Sequence, residues 1–122
     1  MDRRDLLKGA VATSVWTLGS SICQADEARR KSPILGFSKP LANLSPDATA
    51  EAVTRVGWDG IECPIRTVGT THIQPERIED DLPKMVEALA ARGKTVGMVS
   101  TSVTEVTPES ERLLRAIAAN GI

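Results

Sequence analysis

Aromatic residues are the scarcest class in this sequence, whose 122 residues include one Phe, two Trp and no Tyr. A core built from this chain must therefore be aliphatic. A large excess of positive or negative charge is also lacking, because 15 basic residues nearly balance 16 acidic ones. Nucleic-acid binders normally concentrate a basic excess on one face, so we expect no nucleic-acid partner. Apolar runs stay well short of the ~18 residues that cross a bilayer, which argues against an integral membrane protein.

The first 25 residues have the three-part layout of an export signal: a charged start, a weakly apolar stretch and small residues before Asp26. The charged start resembles the twin-arginine signal, which exports folded proteins across bacterial membranes. The residues that carry this resemblance are Arg3, Arg4, Leu6, Leu7 and Lys8. We therefore expect the twin-arginine export machinery as a partner, cleavage after Ala25, and a periplasmic or otherwise extracytoplasmic location. A surface amphipathic helix is the alternative interpretation of this segment.

Cysteine occurs twice, at Cys23 and Cys63. A lipid anchor on Cys23 is an alternative to cleavage after Ala25, although the bulky Ile22 before it is atypical of lipoprotein signals. Once the signal is removed, Cys63 stands alone and the mature chain cannot form an intramolecular disulfide. We expect Cys63 to be a buried thiol that packs as a small hydrophobe.

A repeating order of strand, helix and glycine follows the polar segment 26–33, which we interpret as a linker. Each helix is marked by a capping residue or by apolar residues at helical spacing, and each is followed by a glycine. The predicted strands are 34–38, 60–63 and 95–100, and the predicted helices begin near Ser45, Asp81 and Thr107 and end at Gly57, Gly93 and Gly121. Pro64 is expected to close the second strand, and Pro83 to lie in the first turn of the second helix.

Three strand–helix units in succession are typical of an α/β protein with a parallel sheet, either doubly wound or closed into a barrel. The glycine motif of dinucleotide-binding sheets is missing, because Gly36 is followed by Phe-Ser-Lys-Pro. The phosphate-binding loop motif is also incomplete, since Ala88 stands where its first glycine is needed. These absences favour the barrel, in which the loops after the strands carry the chemistry.

Three segments carry a resemblance to a known family: Gly57-Trp58-Asp59-Gly60-Ile61-Glu62, His72-Ile73-Gln74-Pro75-Glu76-Arg77 and the run from Asp81 to Leu89. They resemble the N-terminal part of the xylose-isomerase-like barrels, the sugar phosphate isomerases and epimerases whose superfamily includes endonuclease IV. The resemblance covers about residues 34–122. It implies that these residues form the first three-eighths of a TIM (β/α)8 barrel, truncated after about three βα units.

The resemblance also implies a divalent metal ion, held by carboxylates and a histidine on later strands, and proton or hydride transfer beside a carbonyl. Because those ligands are not present in this chain, we expect it to be inactive alone as a sugar (phosphate) isomerase or epimerase. A small sugar-like molecule would be the substrate of the completed protein. Open sheet edges would favour self-association of the fragment.

Candidate substrate-binding residues lie at the end of the second strand and in the loop after it. Glu62 lies near its end, Arg66 could bind an anion, and His72 is the single histidine of the chain. Ser100 and Thr101 end the third strand and could donate hydrogen bonds to a sugar hydroxyl. For each residue the alternative is an ordinary role in the loop or at the surface. The acidic run Glu79-Asp80-Asp81 is already explained by the dipole of the helix that it begins.

Two other functions stay open from the sequence. One is a small stand-alone α/β domain that binds a partner chain through its free strand edges. The other is a phosphodiesterase related to endonuclease IV, which would need several metal-binding histidines where this chain has only His72.

Overall fold

The computed structural model describes residues 32–122, and within them three β-strands alternate with three α-helices. The strands are β1 (Leu35–Phe37), β2 (Gly60–Ile65) and β3 (Thr95–Thr101), and the helices are α1 (Pro46–Val56), α2 (Ile78–Ala90) and α3 (Pro108–Ala119). Short 3-10 helices at Lys39–Leu41 and Pro75–Arg77 follow β1 and precede α2. The export signal, its cleavage position at Ala25 and the linker up to residue 31 lie outside the described residues.

The three strands of the described region form one open, parallel sheet in the order β1-β2-β3. Gly36 pairs with Ile61, which in turn pairs with Val96. One step further along, Glu62 pairs with Met98, so Gly97 is an extra residue and forms a bulge in β3. The predicted α/β class with parallel strands is confirmed.

One face of the sheet is covered by the helices. Ile61, Cys63 and Ile65 alternate along β2 and are each at most 1% exposed. They belong to a single aliphatic cluster with buried residues of all three helices, among them Val53, Leu82, Met85, Leu89, Leu113 and Ile117. We call this side the covered face; its composition follows from the near absence of aromatic residues.

The opposite side, which we call the open face, carries Phe37, Glu62 and Met98 side by side on the three strands. Phe37 is 41% exposed and Met98 is 52% exposed. Leu35 also lies here: a Cβ atom on Gly97 would come within 2.7 Å of its Cδ1 atom. The bulged glycine therefore allows Leu35 to lie across the sheet, while two large apolar side chains stay in contact with solvent.

The predicted starts of α1 and α3 are confirmed. Ser45 caps α1 by accepting a hydrogen bond from the backbone N–H of Ala48 at 3.2 Å, and a proline occupies the first helical position. Gly57 ends α1 in the left-handed conformation, with φ of 84°. Thr107 caps α3 in the same way as Ser45 caps α1.

The predicted start of α2 is wrong, because the helix begins at Ile78 rather than near Asp81. Ile78 is fully buried and extends the apolar stripe of the helix by one turn. Pro83 consequently lies in the helix interior, where its missing N–H leaves the carbonyl of Glu79 without its usual partner. Pro83 is exposed, so water can reach that side of the helix.

The predicted end of β2 is also wrong, since the strand continues through Pro64 to Ile65. Successive backbone groups of a strand point alternately to its two neighbours. The carbonyl of Glu62 accepts from Ser38 on the β1 side, so the missing N–H of Pro64 would face the same side. Because β1 has already ended at Phe37, the proline removes no hydrogen bond from the sheet.

Candidate functional site

A pocket of about 390 Å³ opens at the carboxyl end of the sheet, bounded by the loops after β2 and β3 and by the N-terminus of α3. Ile65, Val103 and Leu113 supply part of its apolar lining. Its lining also includes six hydroxyl-bearing side chains: Thr67, Thr101, Ser102, Thr104, Thr107 and Ser110. Small-molecule sites combine such apolar surface with a few polar groups. In parallel α/β proteins they lie at this end of the strands.

Ser110 shapes one wall of this carboxyl-end pocket. Its hydroxyl accepts from the backbone N–H of Thr107 at 2.8 Å, and its own N–H donates to the Thr107 hydroxyl at 3.1 Å. The Ser110 hydroxyl also lies 3.0 Å from the backbone carbonyl of Glu105. This reciprocal capping box attaches the end of the β3–α3 loop to the first turn of α3.

Arg112 connects α3 to the segment that begins α2. Its Nη1 donates to both carboxylate oxygens of Glu79 at 2.6 Å, and its Nη2 donates to the backbone carbonyl of Pro75 at 2.9 Å. The hydrogen bonds that Arg112 donates to the Glu79 carboxylate hold its pKa below the ordinary value. Among the described residues that line the pocket, Arg112 is the one cation, and its charge is matched by this carboxylate.

Three carboxylates line the pocket itself, those of Glu76, Glu105 and Glu109. At the N-terminus of α3, Pro108 has no N–H and the N–H of Ser110 is already bound, so the N–H of Glu109 is what this first turn offers to an anion. The surroundings of the pocket therefore carry more negative than positive charge. The hydroxyl groups of the lining are neutral, and each can both donate and accept a hydrogen bond, so they can bind an uncharged polar ligand.

Of the residues singled out in the sequence, Thr101 lines the pocket. Ser100 precedes it, and its buried hydroxyl has no hydrogen-bond partner among the described residues. Glu62 lies midway along β2 on the open face, and Arg66 is exposed just beyond that strand. Neither of these residues lines the pocket, and neither does His72.

His72 lies instead in a separate groove of about 300 Å³, which is also lined by Leu44, Pro46, Asp81 and Lys84. Its Nε2 is 3.2 Å from the backbone carbonyl of Ser38, so the ring links the β2–α2 loop to the end of β1. Burial lowers the pKa of His72, and hydrogen bonds to backbone groups oppose that shift. These contacts give the histidine a role in holding the loops together.

Residues of the acidic run at the start of α2 form ion pairs with nearby basic side chains. Asp81 accepts from Nε of Arg77 at 2.9 Å and from Nζ of Lys84 at 3.4 Å. The hydrogen bond from Arg77 is the largest cause of the lowered pKa of Asp81. Together with the contact between Glu79 and Arg112, these pairs account for two of the three acidic residues.

Cys63 is the free cysteine of the described residues, and it is buried as expected. Burial raises the pKa of its thiol to about 11, although the adjacent Ser38 side chain has a smaller, opposite effect. Because a thiol must ionise to act as a nucleophile, both the burial of Cys63 and its raised pKa disfavour such a role in the folded chain.

Within residues 32–122, no three side chains of His, Cys, Asp or Glu lie close enough together to hold a metal ion. The divalent cation implied by the family resemblance therefore has no ligand set in the described region. In the same part of the chain, no helix has both the length and the apolar character needed to cross a bilayer.

Comparison of the chain with protein-family models, curated proteins and solved structures gave no match. The geometry of the carboxyl-end pocket is therefore the main guide to function. Sequence reasoning missed most of its lining, including Thr104, Thr107 and Arg112. The available signal was the run Ser100-Thr101-Ser102-Val103-Thr104, which places four hydroxyls directly after or at the end of a strand.

Proposed function

We propose that residues 34–122 are the front section of a (β/α)8 barrel of the xylose-isomerase-like type. The support is an unbroken β1-β2-β3 order of parallel strands, with the helices packed against a single face of the sheet. A barrel places its open face inward, where further strands would cover Phe37 and Met98. A doubly wound sheet would instead need helices on that second face.

The function that this proposal assigns is binding of a small sugar-like molecule for isomerisation or epimerisation. The observation that carries it is the hydroxyl-lined pocket at the carboxyl ends of β2 and β3. The chain would supply part of the substrate-binding surface, while the acids, bases and metal ligands of the reaction would come from later strands. The chain alone is accordingly proposed to bind but not to catalyse.

Titration of the ¹⁵N-labelled chain with D-ribose and D-xylose tests this function. We expect amide shifts concentrated in residues 101–110. Thr104→Val removes one lining hydroxyl and should weaken binding by about 2- to 10-fold, the usual effect of one hydrogen bond. Thr54→Val is the matched control, because the Thr54 hydroxyl donates to Ala50 within α1. Absence of shifts in 101–110 with both sugars would overturn the proposal.

A second function is that of a domain that binds a partner chain through its free strand edges. It is favoured by β1 and β3, which among the described strands pair with β2 alone and carry the exposed side chains of Phe37 and Met98. It differs from the first in requiring no small-molecule ligand. Phe37→Glu should then abolish binding of the partner chain, whereas it should leave sugar-induced shifts in residues 101–110 unchanged.

Export by the twin-arginine route is a separate proposal, supported by the order of Arg3, Arg4, Leu6, Leu7 and Lys8. Replacing Arg3 and Arg4 together with lysine keeps the charge and should leave the protein in the cytoplasm. Cell fractionation measures this directly, and unchanged export of the double variant would contradict the route.

A further inference from the structure

We propose that the carboxyl-end pocket selects uncharged polyhydroxyl ligands over phosphorylated ones, because Glu79 already pairs with Arg112, the one cation among the described residues of its lining. This inference rests on the proposed function, since it assumes that a sugar-like molecule binds there. The sequence leaves open whether the substrate is a free sugar or a sugar phosphate, and selection by this pocket would favour the free sugar.

Arg112 is the residue on which the selection depends. A guanidinium group is the usual partner of a phosphate, which it binds through paired N–H groups. Here Nη1 donates to both oxygens of Glu79 at 2.6 Å, while Nη2 donates to the carbonyl of Pro75 at 2.9 Å. A phosphate would have to compete with a carboxylate that already lies at contact distance.

The remaining charges near the pocket oppose a phosphate as well. A phosphate monoester carries about −1.5 to −2 charges at neutral pH. It would meet the carboxylates of Glu76, Glu105 and Glu109, all of which line the pocket. The N-terminus of α3 compensates little, because Pro108 lacks an N–H and Ser110 already donates to Thr107. The N–H that remains in this first turn belongs to Glu109, whose own carboxylate lines the pocket.

The neutral polar groups, by contrast, match a polyol. Thr67, Ser102 and Thr104 lie in the loops after β2 and β3, and Thr101 is the last residue of β3. All four line the pocket with hydroxyl-bearing side chains. Each hydroxyl can donate one hydrogen bond and accept others, so it complements the hydroxyls of a sugar whichever way they point. The apolar side chains between them suit the C–H groups of a sugar ring.

The test compares D-ribose with D-ribose 5-phosphate, two ligands that differ in the phosphate alone. Dissociation constants come from amide shifts of residues 101–110 in the labelled 122-residue chain. We expect ribose to bind about tenfold more tightly than its phosphate, a ratio that corresponds to about 1.4 kcal/mol. Added salt should narrow the ratio, because it screens the repulsion of the phosphate.

Glu79→Gln removes the charge that matches Arg112. It should tighten binding of ribose 5-phosphate by about tenfold, as expected for one charge-assisted contact, and change binding of ribose by less than about twofold. Glu111→Gln is the matched control, since it removes the same charge from α3 at a residue outside the pocket lining that faces Arg115. Circular dichroism of both variants verifies that the fold is retained.

The outcomes separate the selection from the function beneath it. Tighter binding of ribose 5-phosphate by the unaltered chain would overturn the selection and leave the pocket as a sugar site. Equal gains in phosphate affinity for Glu79→Gln and Glu111→Gln would overturn the role of Arg112, because net charge alone would then explain them. Failure of both ligands to shift residues 101–110 would overturn the proposed function together with this inference.

Discussion

The two faces of the parallel sheet are built from the same three strands but meet different surroundings. On the covered face, Ile61 and Cys63 are completely buried beneath the helices. On the open face, their neighbours Phe37 and Met98 keep 41% and 52% of their surface exposed. Burial of apolar surface is the main favourable term in folding, so the covered face supplies the stability of this region. The open face therefore exposes two large apolar side chains that the described residues leave in contact with solvent.

The largest expected difference between the faces comes from truncating one side chain on each. Ile61→Ala should lower the free energy of unfolding by about 2–5 kcal/mol, because it removes buried methyl groups and leaves a cavity. Met98→Ala should cost under about 1 kcal/mol, since half of that side chain already contacts water. Urea denaturation followed by circular dichroism measures both. Equal losses would show that the open face is already packed.

A smaller loss in the free energy of unfolding is expected from a change at the N-terminal cap of α3, the helix that packs on the covered face beside α2. Thr107→Ala removes the oxygen that accepts from the N–H of Ser110, and should cost about 1 kcal/mol. Thr107→Ser keeps that oxygen and is the matched control. Urea midpoints of the two variants should therefore differ, and a loss as large in Thr107→Ser as in Thr107→Ala would rule out the cap as the cause.

The smallest effect is a pH dependence centred on His72. Its folded-state pKa lies below the ordinary 6.5, so the unfolded chain binds the proton first as the pH falls. Stability is therefore complete above the ordinary value and declines as pH falls from about 6.5 toward the lower folded value. His72→Gln should flatten the stability curve in this range, measured as thermal midpoints between about pH 7 and pH 5. An unchanged slope in the variant would contradict a role for His72.

Charged neighbours of His72 act in a different pH range. Asp81 lines the same groove, and Glu79 lies on the same helix; both have pKa values below their ordinary values of 3.8 and 4.5. Their stabilising contributions are lost only as the pH falls through and below those values. Lys84 is the cation that lines the groove. We therefore attribute the expected loss of stability between about pH 6.5 and pH 5 to protonation of His72.

Local signals in the sequence were sufficient to predict the order of elements. Ser45 and Thr107 cap helices through their own side chains, and Gly57 ends α1 through its own backbone, so neighbours in the chain determine these boundaries. The errors arose where tertiary packing decided the outcome. Burial of Ile78 extended α2, and the early end of β1 allowed Pro64 to remain in a strand.

The site was less predictable than the fold. Thr101 was identified because it ends a strand, which sequence patterns reveal. The pairing of Glu79 with Arg112 joins residues 33 positions apart, and it depends on how α3 packs beside α2. The sequence placed His72 among the substrate contacts, which stays a prediction. It did not reveal the contact of His72 with Ser38, because that contact depends on how two loops meet.

The central claim is that the open face belongs against further structure, as the interior of a barrel does. Sedimentation velocity over a range of concentrations, combined with a thermal melt, tests it most directly for the chain with and without its first 25 residues. We expect both forms to self-associate increasingly as the concentration rises. The double variant Phe37→Glu, Met98→Glu should suppress this self-association. A monomer that melts cooperatively at every concentration would contradict the claim.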